Sequence, residues 1–163
     1  MPFATRSDLL ARSNARRLAQ LAVPADRDMV SHEALRLVIA GGDLSEYSEV
    51  DQESLTLALD AIDKALDDAD ALILSYGIPA TVLTTLLARI ASTIALYYLQ
   101  NAEKLDKSET SAYEAAISTL KSHATGMINL IPPAPGTPEI EGDVISISSN
   151  RPRFGYASTD DDD

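Results

Sequence analysis

Asp60, Asp63, Asp67 and Asp70 recur at spacings of three and four, so a helix would carry them as one stripe of carboxylates. Carboxylates on bundle helices can hold paired metal ions, and "DDAD" at 67–70 invites that reading. The pattern is incomplete, however: it is not Asp–Asp–x–x–Asp, no Glu–x–x–His pair occurs, and no second helix is rich in carboxylates. The plainer expectation is a solvated helix face. His32 and His123 stand too far apart to suggest a zinc site, and suit a polar helix start and a favourable helix-dipole partner. There is no cysteine, which rules out disulfides and thiolate chemistry. No Ser/His/Asp grouping or phosphate-cradling glycine loop is present. The expectation is therefore a protein with no catalytic residues, no metal ligands and no cofactor.

Charge is distributed unevenly. The net charge of −12 argues against a surface that grips nucleic acid. Residues 1–42 carry six basic and four acidic groups, residues 43–70 carry ten acids against Lys64, and residues 139–163 carry seven acids against two arginines. Arg6, Arg12, Arg16 and Arg17 could form a basic edge that meets the 43–70 acids of a neighbouring copy. The start, "MPFATRSDLL", lacks the features of a signal peptide, so synthesis in the cytoplasm is expected.

These groups need elements to position them, and the pattern predicts an all-α bundle of four to five helices. Thr5 and Asp8 form a capping box, Leu9, Leu10, Leu18 and Leu21 give an apolar edge, and Ser13 or Asn14 can restart the helix. A short helix runs from Ser31 to about Ala40 and closes at Gly41–Gly42. Residues 43–50 read as a solvated acidic loop. A long helix from a cap at Asp51 to about Ser75 carries the seam Leu55, Leu59, Ile62, Leu66, Ala69, Ile73 and Tyr76, stopped by Gly77 and Pro79. The next helix, Ala80 to about Gln100, is apolar almost all round; its central Arg89 and its hydroxyl residues favour burial in a bundle over a membrane span, with Arg89 paired to an acid inside the bundle or at the subunit boundary. The last helix runs from about Ser108 to Thr125, with Tyr113, Ala116, Ile117, Leu120 and Ala124 on one face.

Beyond Leu130 the character changes. "PPAPGTPEIEG" holds four prolines and two glycines and reads as a stiff linker. The predicted organisation is a helical domain at 1–131 and an extended arm with an acidic tail at 132–163. Ile145 and Ile147 in "DVISISS", followed by Arg151, Arg153, Phe154 and Tyr156, suit disorder in a free monomer and, in an assembled particle, a strand or hairpin added to a partner, because an isolated strand has no ladder of its own.

Three stretches together resemble the Mu-like prophage head–tail connector (neck adaptor) family. They are Phe3, Ala4, Thr5, Asp8 and Leu9; then Ile94, Ala95, Tyr97 and Leu99; then Tyr113, Glu114, Ala116, Leu120, Gly126, Ile128 and Leu130. Two regions depart from the family pattern: the segment from Val23 to Val50 is longer, and "RPRFGY" matches loosely. The resemblance implies a structural virion protein made in the host cytoplasm. It would form a ring of about twelve copies under the portal protein, joined below by a tail or tail-terminator (stopper) protein. DNA would pass through without specific binding, and no membrane would be involved. In that setting the stripe of Asp60, Asp63, Asp67 and Asp70 is a candidate channel lining, and the arm a candidate grip on the portal or a neighbour. The runner-up is a generic helical interaction module acting as scaffold or regulator.

Overall fold

A computed structural model describes residues 2–100 and 107–133. The chain divides into a compact unit, Met1–Pro132, and a second unit, Pro133–Asp163. The described residues form six helices and no strand: α1 (Arg6–Arg12), α2 (Ala15–Ala22), α3 (His32–Ile39), α4 (Glu49–Ser75), α5 (Thr85–Tyr98) and α6 (Lys107–Ala124). The arm residues Ile145, Ile147, Arg151, Arg153, Phe154 and Tyr156 lie outside the described residues.

Local chemistry explains most helix starts. Asp8 N–H donates to Thr5 Oγ1 at 3.2 Å while Thr5 N–H donates to Asp8 Oδ2 at 2.8 Å, which closes the predicted capping box. Ser13 ends α1, and Asn14 Oδ1 accepts from Arg17 N–H at 2.8 Å to start α2. Ser31 caps α3 through the Glu33 amide. The bundle has one helix more than the predicted range because this break splits the first apolar edge into two short helices.

Two starts differ from expectation. Ser48, not Asp51, caps α4: its Oγ accepts from Asp51 N–H at 3.2 Å and donates to the Asp51 carboxylate at 2.7 Å. Asp51 is thus the third helical residue, favourable beside the positive helix end. α5 begins five residues later than expected. Ala80 offers no capping oxygen, whereas Thr84 Oγ1 accepts from Leu87 N–H at 3.2 Å. The intervening loop buries Ile78 and leaves Leu83 half-exposed. Nor is the 43–50 loop purely solvated. Leu44 and Tyr47 pack on the core, and the Gln52 amide donates to both their carbonyls, at 3.0 and 2.9 Å.

The core is continuous and aliphatic, and α5 is its central element, packed against α4, α6 and α1. α2 joins α3 and α4 at the other side. Leu9, Leu18, Leu35, Leu55, Ile62, Ile73, Ile78, Leu87, Ile94 and Leu120 are fully buried. Truncating such a residue to alanine typically costs 2–5 kcal/mol. The α4 seam is buried as predicted at Leu55, Ile62, Leu66, Ala69 and Ile73, with Leu59 and Tyr76 at its margins. Tyr97 stacks on Tyr113 with centroids 4.0 Å apart and fastens α5 to α6. Ala124, expected on the same face as Tyr113, Ala116, Ile117 and Leu120, is exposed at the last residue of α6.

α6 ends at Gly126, whose φ of 74° admits the left-handed turn. The Met127 amide donates back to Ser122 O at 2.9 Å, and the Leu130 amide donates to His123 Nδ1 at 3.3 Å. Leu130 is thereby tucked against the core, while Met127 is left 79% exposed.

Candidate assembly surfaces

The four aspartates on α4 do not share one environment. Asp60 and Asp67 are exposed, as is the adjacent Asp68. Asp63 instead forms a two-pronged pair with Arg6, with Nε to Oδ1 at 2.7 Å and Nη2 to Oδ2. Hydrogen bonding by Arg6 holds the Asp63 carboxyl below its ordinary range and outweighs the opposing effect of burial. Asp70 accepts the Phe3 amide, at 3.1 Å to Oδ1 and 3.3 Å to Oδ2. Burial pushes the Asp70 carboxyl up, and the Phe3 hydrogen bond opposes that shift. Two members of the stripe therefore clamp the N-terminal segment, whose Phe3 side chain is itself buried.

The basic edge is divided in the same way. Arg6 binds Asp63 and Arg17 binds Glu109 on α6, both within one molecule. Arg16 is exposed beside Gln20 and Met29. Arg12 lies across from Arg89, and together they line a cavity of about 300 Å³ with Asp8, Thr85 and Ser92. Partial burial, and then the Arg89 charge, pull the Arg12 guanidinium below its ordinary pKa. Arg89 itself is exposed and has no ion pair among the described residues, so of its two expected settings the acid partner inside the bundle is not found there. Burial of the helix is carried by its other face, through Leu87, Ile90, Ala91, Ile94 and Ala95.

Other features carry no pattern visible in sequence. Gln100 is only 8% exposed, yet neither its amide oxygen nor its nitrogen has a partner. It lines a cavity of about 330 Å³ with Arg12, Thr93, Tyr97 and Glu109. Leu83 and Leu86 remain 52% and 48% exposed at the start of α5. The Tyr98 hydroxyl is pushed up to about 12, first by burial and then by its hydrogen bond with Tyr113. Nothing in local sequence announces Gln100, since its isolation arises from the packing of α5 against α6.

Among the described residues, no three acidic, histidine or cysteine side chains converge so as to hold a metal ion. No helix among them is long and apolar enough to cross a membrane.

The profile described as "Bacteriophage Mu, Gp36" matches residues 3–148. The chain belongs to the bacteriophage Mu Gp36 family. It is thus a Mu-like phage protein. The Gp36 match takes in both clamped aspartates, Arg12, Arg89 and Gln100, and ends before Arg151, Arg153, Phe154 and Tyr156. No curated protein matches the chain.

Proposed function

We propose that this chain is a non-catalytic structural protein of the phage neck, a head–tail connector that assembles as a ring of about twelve copies beneath the portal. It carries the DNA channel onward to a tail or tail-terminator protein, and its arm grips the portal or a neighbouring copy. The match to the Mu Gp36 family across residues 3–148 is the observation that supports this reading most. Two surface features fit it. Leu83 and Leu86 leave an apolar patch outside the finished core, as a subunit awaiting neighbours does. Asp60 and Asp67 are exposed carboxylates on α4, and a conduit lined by acids repels phosphate where basic walls would hold it.

The test is assembly on the portal. Mixed with its portal protein, the chain should give a ring visible in negative-stain images and by light-scattering mass, even if it is monomeric alone. A chain that stays monomeric in that mixture is an interaction module of another kind. Asp60→Lys with Asp67→Lys should impair DNA ejection while leaving particle assembly intact; unchanged infectivity removes the channel-lining role. Deleting residues 139–163 should abolish portal docking without unfolding the helices.

A further inference from the structure

Arg12 is common to three adjoining cavities, of about 300, 330 and 230 Å³, that run between α1, α5 and α6. The groove is polar in an unusual way. Its cations are the exposed Arg12 and Arg89 guanidinium groups, neither of which forms an ion pair among the described residues, and its buried unmet donor is the Gln100 amide nitrogen. Its unmet acceptors are Gln100 Oε1 and Glu109 Oε2, both buried without a partner. Asp8 borders the groove, but its Oδ2 already receives the Thr5 amide and hydroxyl, at 2.8 and 2.7 Å.

This set of groups restricts what can fill the groove. A bare anion would answer the arginines and leave both buried acceptors stranded beside it without a donor. The interior of a helix has its main-chain groups already paired, so its backbone cannot answer the Gln100 amide, which needs a donor and an acceptor together. An extended peptide offers exposed N–H and C=O groups, and acidic side chains on it would meet the guanidinium groups. The small side chains of Ala88, Ala112 and Ala115 leave room for a backbone to approach.

We propose that this groove receives an extended acidic segment of a second copy, Glu139 to Asp143. Glu139, Glu141 and Asp143 alternate, so in extended conformation all three carboxylates fall on one side, about 7 Å apart in succession. The four prolines from Pro132 to Pro138 favour an extended approach. Arg6 and Arg17 are paired within their own molecule, and among the described residues Arg12 and Arg89 are the cations that line the groove. The assignment rests on the ring reading above and adds which surfaces meet.

The absence of native cysteine makes a direct test simple. One version of the full chain carries Ala112→Cys in the groove, and a second, distinguishable by a size tag, carries Glu141→Cys. Mixed with portal and mildly oxidised, they should form a disulfide-linked heterodimer. Arg12→Glu with Arg89→Glu should lower that yield by about tenfold, and Glu139→Arg with Asp143→Arg should restore it. Gln100→Leu should hold or raise the melting temperature, since it removes two unmet buried atoms, and still lower the yield. Failure to link, a link indifferent to charge reversal, or one formed only within a chain carrying both cysteines overturns the proposal. Rings in images of the unmodified protein without such a link sink only this contact; a link without rings keeps the contact and sinks the neck assignment.

Discussion

Arg6 and Asp63 stand 57 positions apart and meet in a two-pronged ion pair that fastens the first helix to the middle of the longest one. Three residues upstream, the Phe3 amide reaches Asp70, nearly two turns further along the same helix. The entry of the chain is thus held at two points on α4, with the Phe3 ring buried between charge and core.

The two kinds of anchor differ in strength. Both partners of the ion pair are more than a third exposed, which limits their coupling to roughly 0.2–1 kcal/mol. Phe3→Ala should cost about 3 kcal/mol, since it empties a buried site. Urea unfolding of the single variants, and a double-mutant cycle over Arg6→Ala and Asp63→Ala, measures both. A cycle energy larger than the Phe3 cost would show that charge, not packing, holds the segment.

Acid should separate Asp63 from Asp70. The folded-state pKa of Asp63 is depressed, so its contribution is present above the ordinary value of 3.8 and fades as pH falls through the folded value. The folded-state pKa of Asp70 is raised, so its contribution is fully present below 3.8 and is lost as pH rises through the folded value. The stability gap between the native chain and Asp63→Asn should therefore shrink from pH 6 to pH 3. The gap for Asp70→Asn should move the opposite way over the same window. Urea midpoints at each pH give the comparison.

How much of this arrangement could be read beforehand follows from how local each feature is. Thr5, Asn14 and Ser31 act within three residues of themselves, so their caps were visible in the pattern. Ser48 and Asp51 are both short and polar, and only their reciprocal bonding shows which one is outside the helix. The start of α5 was obscured because the apolar run continues through a loop that buries Ile78. The stripe of aspartates was correctly spaced, but spacing cannot tell which members face a distant arginine or amide. Arg89 drew attention in an apolar helix, while its neighbour across the groove, Arg12, comes from 77 residues earlier. Tertiary placement, rather than helix formation, was the hidden part.

Ser54 is 1% exposed, and its hydroxyl has no partner. Ser54→Ala removes that unmet group and raises helix propensity, so it should stabilise the chain by about 0.5–1 kcal/mol. Ser92 is a useful contrast: equally buried, its hydroxyl donates to Ala88 O at 2.7 Å. Ser92→Ala should give less or nothing. Thermal melts of the two variants side by side decide it.

Gly77 closes α4 with φ of 84°, and a Cβ there would meet nothing within 4 Å. Space is therefore not the constraint; backbone conformation is. Gly77→Ala should cost about 1 kcal/mol, and Gly77→Asn less, since asparagine tolerates this region better. Equal losses for both would point to an unseen packing role.

Leu86→Ser should leave the unfolding midpoint within about 0.5 kcal/mol of the native chain, because nearly half of its surface is already in water. On the ring reading it should nonetheless reduce assembly on the portal, scored by sedimentation of the mixture.

α6 leans chiefly on α5, through the tyrosine stack, Ala116 and Leu120, with Arg17 reaching across to Glu109. An element attached along one side is the natural first piece to peel away. Amide hydrogens from Ser111 to Ala124 should then exchange with deuterium well before those of α4, in a unit that opens while the remainder stays closed. Loosening at that seam would uncover Tyr97 and the α5 side of the groove together, so a single opening would bare surfaces from both helices at once.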